Sequence, residues 1–277
     1  MSDSSKHFLN GKIVSEEELL ISPRDLGFTR GYAVFDFLIT YNGKPFKLDS
    51  HIDRLFNSAK YINLSIPWSK EQIKNWIIET LTANPKDEKT IKVIISGGLT
   101  DFILPQGKPT IIIMVDARHM YPESLYENGM AVKTVKFKRS NPSAKTNNYI
   151  KAISEMLTFE KRIEDAIYYD ETQVYEPTTS NLFAVIDGKL ITPKSEILPG
   201  ITKEVLLDIL KLDIPIVEQD FKIEDLMRAD EIFLTSSNRE IAPVVEIDGK
   251  KVGDGKVGKY AREVMKQFND YTMSVSN

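Results

Sequence analysis

The sequence contains no cysteine and only three histidines, and these two shortages exclude several kinds of chemistry. Without cysteine the chain forms no disulfide bond and offers no thiolate to a metal ion. The surroundings of His7, His51 and His119 show no metal-ligand spacing, which argues against a histidine-based metal site. The same shortage, together with the lack of a Gly-x-Ser-x-Gly segment, argues against serine–histidine hydrolysis. Lysine is therefore the most plausible catalytic base.

Long apolar runs are also missing, so no segment is expected to span a membrane. The first residues lack the apolar core of an export signal, and we expect a cytoplasmic protein. The formal net charge of −4 argues against a general nucleic-acid binder, because such proteins carry a basic excess. With 42% hydrophobic and 27% charged residues, the composition is that of an ordinary globular protein.

The pattern of strands and helices predicts a mixed α/β chain of two domains. We place a small N-terminal α/β domain at residues 1–118, a linker at 119–129 and a larger domain at 130–277. The pairs Asn10-Gly11 and Asn42-Gly43 predict tight hairpin turns.

Two helix boundaries follow from the local sequence. Asp49 or Ser50 is expected to cap a helix that begins near His51, and a helix after Tyr149 is expected to reach about Arg162. The short basic run Lys136–Arg139 is interpreted as a solvated strand edge.

One stretch, Ser143 to Tyr149, places Lys145 among small polar residues directly before the predicted helix. A lysine that forms an imine needs access to a carbonyl compound and neighbours that lower its pKa. A lysine alone proves nothing, because most exposed lysines are only surface charge. A second stretch, Val174 to Phe183, brings a carboxylate and several hydroxyls to a turn before an apolar strand.

The ordered motifs Lys-Thr-Asn-Asn-Tyr, Glu-Pro-Thr-Thr-Ser-Asn-Leu-Phe and Leu-Pro-Gly-Ile-Thr resemble the class IV aminotransferases. These are pyridoxal-phosphate enzymes of fold type IV: branched-chain aminotransferases, D-amino acid aminotransferases and aminodeoxychorismate lyases. The resemblance extends from about Asp25 to Val257 and implies a two-domain fold like that of D-amino acid aminotransferase.

The resemblance implies a role for each matching residue. Lys145 would form the aldimine with pyridoxal 5'-phosphate and then move a proton, whereas Lys151 lacks the motif context. Glu176 would keep the pyridine nitrogen protonated, and Tyr149 would lie near the ring oxygen. Arg54, in a His-x-x-Arg element, would bind the phosphate with its planar fork.

Further cofactor contacts are implied along the second half of the chain. The start of a helix is a natural phosphate site, and a serine-rich loop supplies the other phosphate contact. The residues concerned are Ile201, Thr202, Ser236 and Ser237 for the phosphate, and Thr178, Thr179 and Ser180 for the cofactor or the substrate carboxylate.

Substrate determinants are mixed. Phe35 occupies the position of a tyrosine in D-amino acid aminotransferases, and Gly97 and Leu99 replace their arginine and histidine. Phe35 is similar to the branched-chain enzymes, yet the Lys-Thr-Asn-Asn-Tyr spacing follows the other subgroup. Arg30 is a candidate binder of a substrate carboxylate, and Asn238 is expected to contact substrate.

The sequence thus predicts an aminotransferase that acts on a D-amino acid or a branched-chain amino acid and a 2-oxo acid. In the family the segment around Arg30 commonly reaches the partner subunit, so a homodimer is expected. Aminodeoxychorismate lyase, which releases pyruvate with the same cofactor, is the alternative. A binding protein that has lost the cofactor is a further alternative, against which the intact Lys145 and Glu176 argue.

Overall fold

The computed structural model describes residues 5–276, and they form two compact units. Unit 1 contains the chain up to His119 and, in addition, the short segment Ser143–Asn148. Unit 2 contains Met120–Pro142 and Tyr149–Val275. Among the described residues, no helix combines the length and the apolar character needed to cross a membrane.

Unit 1 is an antiparallel sheet covered on one face by helices. Its elements are β1 (Lys6–Leu9), β2 (Lys12–Ser15), α1 (Leu26–Arg30), β3 (Ala33–Tyr41), β4 (Lys44–Pro45), α2 (Leu48–Tyr61), α3 (Lys70–Thr82), β5 (Lys89–Ser96) and β6 (Thr110–Ala117). The strand order is β2–β1–β6–β5–β3–β4, and every neighbouring pair is antiparallel.

The core of unit 1 lies between the sheet and the helices α2 and α3. Apolar residues three and four apart on α2, such as Ile52, Leu55 and Ala59, face the sheet, as the helical period requires. Asn10 and Gly11 both have positive φ, 47° and 98°, which is the geometry of a two-residue hairpin turn. The predicted first hairpin is thereby confirmed.

Unit 2 is built on a larger mixed sheet. Its elements are α4 (Glu123–Asn128), β7 (Met130–Lys136), α5 (Ile150–Met156), β8 (Ile163–Tyr169), β9 (Val174–Pro177), β10 (Asn181–Ile186), β11 (Lys189–Thr192), α6 (Ile201–Ile209), β12 (Ile216–Glu218), α7 (Ile223–Leu226), β13 (Glu231–Ser236), β14 (Glu240–Ile247), β15 (Lys250–Lys251) and α8 (Lys259–Ser276). The strand order is β12–β11–β10–β13–β14–β7–β8–β9, with β15 paired to β14.

The sheet of unit 2 mixes both strand directions. The pairs β11–β12, β14–β7 and β7–β8 are parallel, and the others are antiparallel. Alternate residues of the central strands fill the core: Leu182 and Ala184 of β10 lie against Ile232 and Leu234 of β13. The opposite face carries Phe183, which stacks on a phenylalanine of β13, so both faces of these strands are buried.

Two predicted helix boundaries are wrong. Helix α2 starts at Leu48, and its N-cap Lys47 has left-handed backbone geometry without a side-chain cap. Asp49 lies inside the first turn instead, where it faces the positive end of the helix dipole and pairs with Lys74. Helix α5 ends at Met156 rather than near Arg162, because the amides of Thr158 and Phe159 bond to carbonyls three positions back and tighten the chain into turns.

Candidate functional site

The segment that carries Lys145 is bonded on two sides within unit 1. The Phe35 amide of β3 donates to the Lys145 carbonyl at 2.9 Å, and the Asn147 amide donates to the Ala33 carbonyl at 3.3 Å. From the other side, the Lys145 amide donates to the Ser58 hydroxyl of α2 at 3.0 Å. Short polar residues around the lysine allow these backbone contacts. The main chain of Lys145 is thus fixed between a strand and a helix.

The ring of Phe35 is shared by two lysine side chains. The Lys145 Nζ lies 4.8 Å from the ring centroid, and the Lys92 Nζ of β5 lies 5.0 Å from it. Lys92 is partly buried, and that burial lowers its pKa below the usual value. Lys92 was not among the residues predicted from the sequence. The signal was present, because Lys92 interrupts the apolar run from Ile91 to Ile95 within β5.

Arg54 lies in a buried ion cluster with Asp36, whose side chain is on the face of β3 opposite to Phe35. Its Nε and Nη2 donate to the two oxygens of Asp36 at 2.9 and 2.8 Å, and His51 Nδ1 lies 2.7 Å from Asp36 Oδ1. Burial alone would raise the pKa of Asp36, but the charge of Arg54 and the hydrogen bonds from Arg54 and His51 hold it well below its usual range. Burial lowers the pKa of His51, so the ring is neutral at pH 7 and donates from Nδ1.

The substrate residues predicted in unit 1 differ in their exposure. Phe35 is buried, whereas Arg30 is exposed at the end of α1, where its Nη1 donates to the Thr29 carbonyl at 3.1 Å. At Gly97 an added Cβ would lie 2.6 Å from the ring of Tyr32, so an arginine cannot occupy this position without movement of the ring. Leu99 is exposed.

A cavity of 180 Å³ lies beside α1 in unit 1. Its polar groups already satisfy one another: Asp25 Oδ2 accepts from the hydroxyls of Ser96 and Thr110 at 2.8 and 2.7 Å. Asp25 Oδ1 accepts from the Gly27 amide at 2.7 Å, as expected for an N-cap. The remaining lining is apolar apart from Asn147, so this cavity is mainly a packing feature of α1.

Glu176 lies on β9 of unit 2 with its carboxylate buried and held from three directions. Its Oε2 accepts from the Leu198 amide at 3.0 Å and from the Asn181 Nδ2 at 3.2 Å, and its Oε1 accepts from Arg139 Nη1. The interpretation of Arg139 as part of a solvated edge is therefore wrong, although Lys136 and Lys138 are exposed. These donors all favour the ionised form of Glu176.

The first turn of α6 is connected to this carboxylate through Asn181, whose Nδ2 donates to Glu176 and whose Oδ1 lies against Gly200. Its N-cap Gly200 provides no side-chain cap, so the first amides of the helix keep their capacity to bind an anion. A Cβ at Gly200 would lie 1.7 Å from Asn181 Oδ1, so only glycine permits this approach. Ile201 and Thr202, both predicted phosphate contacts, are buried in this turn.

Two buried hydroxyls near these groups have no hydrogen-bond partner in residues 5–276. They are Ser180 Oγ and Thr235 Oγ1, and Thr235 pairs with Asn181 across β10 and β13. Buried hydroxyls are normally hydrogen-bonded, so the hydroxyls of Ser180 and Thr235 indicate a site for a bound group. Thr235 was not predicted, and the pairing register that exposes its role cannot be obtained from composition or spacing.

The remaining predicted residues of unit 2 differ in their hydrogen-bond partners and in their exposure. Ser236 Oγ accepts from the Arg239 amide at 3.2 Å, and Ser237 is half-buried in the same turn. Asn238 Nδ2 donates to the Tyr121 hydroxyl at 3.1 Å, while its Oδ1 is buried without a partner in the described part of the chain. Two further predicted residues are placed as follows: Thr179 is exposed, and Tyr149 is half-buried at the start of α5.

Comparison with known families gives one match over most of the chain. The model of the family described as amino-transferase class IV matches residues 33–247. A D-alanine aminotransferase of Staphylococcus haemolyticus is 31% identical, over 99% of this chain and 100% of that protein. A Methanocaldococcus jannaschii protein, named provisionally as a branched-chain-amino-acid aminotransferase, is 34% identical over 96% of each chain.

Solved structures give the same result for the fold. The branched-chain amino acid aminotransferase of Escherichia coli superposes with a TM-score of 0.86 at 26% identity, over 96% of this chain and 94% of that one. The branched-chain aminotransferase of Thermoproteus uzoniensis, solved with norvaline, gives a TM-score of 0.85 at 27% identity, over 98% and 95%. The predicted two-domain fold of type IV is confirmed.

Proposed function

The chain belongs to the class IV aminotransferases, and from that membership we propose that it uses pyridoxal 5'-phosphate to exchange an amino group between an amino acid and a 2-oxo acid. Transamination itself follows from the family. The cofactor, the substrates and the roles of individual residues are what we propose for this chain.

One observation in unit 2 carries the proposal. A buried, ionised carboxylate at Glu176 lies next to the uncapped start of α6 and to the hydroxyls of Ser180 and Thr235, which lack partners in residues 5–276. A protonated pyridine nitrogen needs such a carboxylate, and a phosphate needs free amides and hydroxyls. The donor set therefore fits pyridoxal phosphate.

When bound, pyridoxal phosphate supplies an electron sink for the charge that develops at the substrate α carbon. Lys145 is proposed to hold the cofactor covalently and then to move the proton of the α carbon with its Nζ. Glu176 is proposed to keep the ring nitrogen protonated, because Arg139 and two further donors hold its carboxylate ionised. Tyr149 is proposed to donate to the ring oxygen.

The phosphate is proposed to bind at the helix start and at the serine-rich turn, with an arginine as its counter-charge. We propose Arg54, Ile201, Thr202, Ser236 and Ser237 for the phosphate, and Thr179 and Ser180 for the remainder of the cofactor. The C-terminal domain, residues 130–277, would then supply most of the cofactor contacts.

The proposed substrates are a D-amino acid or a branched-chain amino acid together with a 2-oxo acid. Relatives named for both substrate classes support this choice. Arg30, Phe35 and Asn238 are proposed to contact the substrate, and we propose a cytoplasmic homodimer in which Arg30 reaches the partner's site. The relatives named above are all aminotransferases, so the lyase alternative is not proposed.

The visible spectrum of the purified protein tests the proposal directly. We expect pyridoxal phosphate to give an absorption band in the visible range that single D- or L-amino acids bleach, and the effective amino acids identify the handedness and side chain of the substrate. The variant Lys145→Ala should lose this band, whereas Lys151→Ala, with a lysine six residues further along, should keep it. A band that persists in Lys145→Ala would refute the proposed role.

A further inference from the structure

Asp165 is a fully buried carboxylate on β8 that none of the proposed catalytic steps uses. Its Oδ1 accepts from the Thr178 amide at 3.1 Å, from the Thr178 hydroxyl and from the Ala166 amide at 2.8 Å. Its Oδ2 accepts from Arg239 Nη1 at 2.7 Å. Both carboxylate oxygens are thus bonded, to two chain segments that lie far apart in sequence.

Both segments carry candidate cofactor residues of unit 2. Thr178 lies midway between Glu176 and Ser180. Arg239 lies in the turn after β13, and its own amide donates to the Ser236 hydroxyl at 3.2 Å. The pairing of β10 with β13 places the two segments side by side, with the unpartnered hydroxyls described above at the junction.

A buried ion pair such as this is weak evidence for stability, because the desolvation of both charges offsets their attraction. Its main effect is geometric, since a carboxylate that receives hydrogen bonds from two segments fixes the distance between them. The Arg239 guanidinium is further restrained: Nη2 donates to the Glu164 carbonyl at 3.3 Å, and the group lies 5.7 Å from the ring centroid of Tyr121.

We propose that Asp165 is a positioning residue for the cofactor phosphate: through Thr178 and Arg239 it fixes residues 235–239 against residues 178–180, in the position that the hydroxyls of Ser236 and Ser237 need to bind a phosphate. Asp165 itself does not contact the cofactor. This inference rests on the proposed function, because it takes the ligand to be a phosphorylated pyridine.

The variant Asp165→Asn tests this role, because its amide group would face the Arg239 guanidinium with a donor in place of an acceptor. We measure the Kd of the apoprotein for pyridoxal phosphate and for pyridoxal, which lacks the phosphate. One lost charge-assisted hydrogen bond predicts a Kd for pyridoxal phosphate that is about 10- to 100-fold higher. The Kd for pyridoxal should change by less than about twofold, since only the phosphate contacts are displaced.

The matched control is Asp170→Asn, which alters a carboxylate of the same unit that bonds to Thr172 and Tyr175 only within its own turn. It should leave both Kd values unchanged. Equal weakening of both ligands by Asp165→Asn, or no weakening of either, would overturn the positioning role.

Smaller changes keep the test decisive if Asp165→Asn does not fold. Thr178→Val removes one hydroxyl, and Arg239→Met removes the cation, and each should weaken pyridoxal phosphate selectively. If both variants bind pyridoxal phosphate as tightly as the wild type, the inference is wrong. A wild-type protein that binds no pyridoxal phosphate would refute the proposed function instead, so the two failures are distinguishable.

Discussion

At the scale of single residues, Phe35 links two amines that the sequence keeps far apart. Lys92 and Lys145 both place Nζ within about 5 Å of its ring centroid, at the range of a cation–π contact. Lys145 is already proposed to be the catalytic amine. Lys92 adds a second positive charge on the same ring, and the substrates of a transaminase are carboxylates.

Lys92→Met should therefore weaken substrate binding. Loss of one charged partner predicts a KM for the 2-oxo acid about tenfold higher, with a smaller change in kcat. Lys92→Arg, which keeps the charge, should retain most of the affinity, and Lys60→Met on the exposed side of α2 serves as the control. An unchanged KM in Lys92→Met would contradict a role in substrate binding and leave Lys92 only its contact with the Phe35 ring.

The lowered pKa of Lys92 gives this prediction a pH signature. Burial disfavours the ammonium form, so the charge is lost on the alkaline side earlier than for a lysine with the usual pKa of 10.5. The KM of the wild type should rise as the pH approaches that lowered pKa. In Lys92→Arg the rise should disappear, because arginine stays charged. Steady-state kinetics across the alkaline range measure both profiles.

At the scale of secondary structure, the cluster of Asp36, His51 and Arg54 joins β3 to α2 inside the core. Folding lowers the pKa of His51, so at a pH between the two pKa values the unfolded chain binds a proton at His51 and the folded chain does not. The stabilising contribution is present above the unfolded value near 6.5 and is lost as the pH falls towards the folded pKa. Asp36 contributes in the same direction at lower pH.

The variant His51→Gln should flatten this acid dependence. Glutamine can still donate to Asp36 but does not titrate, so the free energy of unfolding should fall less steeply below about pH 6.5, by up to about 1.4 kcal/mol per pH unit. Urea denaturation followed at a series of pH values provides the measurement. His119→Gln, outside the cluster, is the control, and parallel curves for His51→Gln and wild type would contradict the account.

Gly200, the N-cap of α6, lies against Asn181, whose amide donates to the buried Glu176 carboxylate. Its φ of −81° suits any residue, so Gly200→Ala acts only through the added Cβ against Asn181. Displacing that amide breaks its bond to Glu176, and overpacking typically costs about 1–3 kcal/mol. We expect a lower free energy of unfolding and a higher Kd for pyridoxal phosphate. Asp208→Ala on the exposed side of the same helix should change neither.

Much of the fold could be predicted because its signals are local. The Asn10-Gly11 and Asn42-Gly43 hairpins depend on neighbours in sequence, and both pairs have the positive φ angles of two-residue turns. The start of α2 was predicted incorrectly because its N-cap, Lys47, has a left-handed backbone conformation, which a lysine in the sequence does not indicate.

The ion clusters could not be predicted from the sequence, since their partners meet only when elements far apart in sequence pack together. Asp36 and Arg54 are separated by 18 positions, and Asp165 and Arg239 by 74. Arg139 likewise appears as a surface charge until β9 brings Glu176 to it. The ordered motifs indicate Lys145 and Glu176 as candidate site residues. The groups that bond to them, such as Ser58 and Arg139, can be identified only in the folded chain.

At the scale of the whole molecule, the proposed homodimer makes a quantitative prediction. Light scattering should give twice the chain mass of 31.5 kDa. If Arg30 acts in the partner's site, subunits carrying Arg30→Ala and subunits carrying Lys145→Ala should complement each other. Random mixing gives mixed dimers in half of the population, each with one intact site, so about a quarter of the wild-type activity should return.

The complementation has a clear opposite outcome. If Arg30 acts within its own subunit, every site with an intact lysine lacks the arginine and no activity is regained. Refolding each variant alone controls for residual activity. A monomer in light scattering would remove the partner role altogether.

The return of Ser143–Asn148 to unit 1 has a consequence for synthesis on the ribosome. The rest of unit 1 is complete at His119, yet the strand edge at Phe35 pairs with Lys145 in a segment that is complete only 29 residues later, at Asn148. At about 5–20 residues per second, the nascent N-terminal unit waits about 1.5–6 s with that edge unpaired. The segment that carries Lys145, the proposed catalytic amine, is thus also the last strand-pairing segment of unit 1 to emerge, so a chain truncated before it would leave an exposed strand edge open to aggregation.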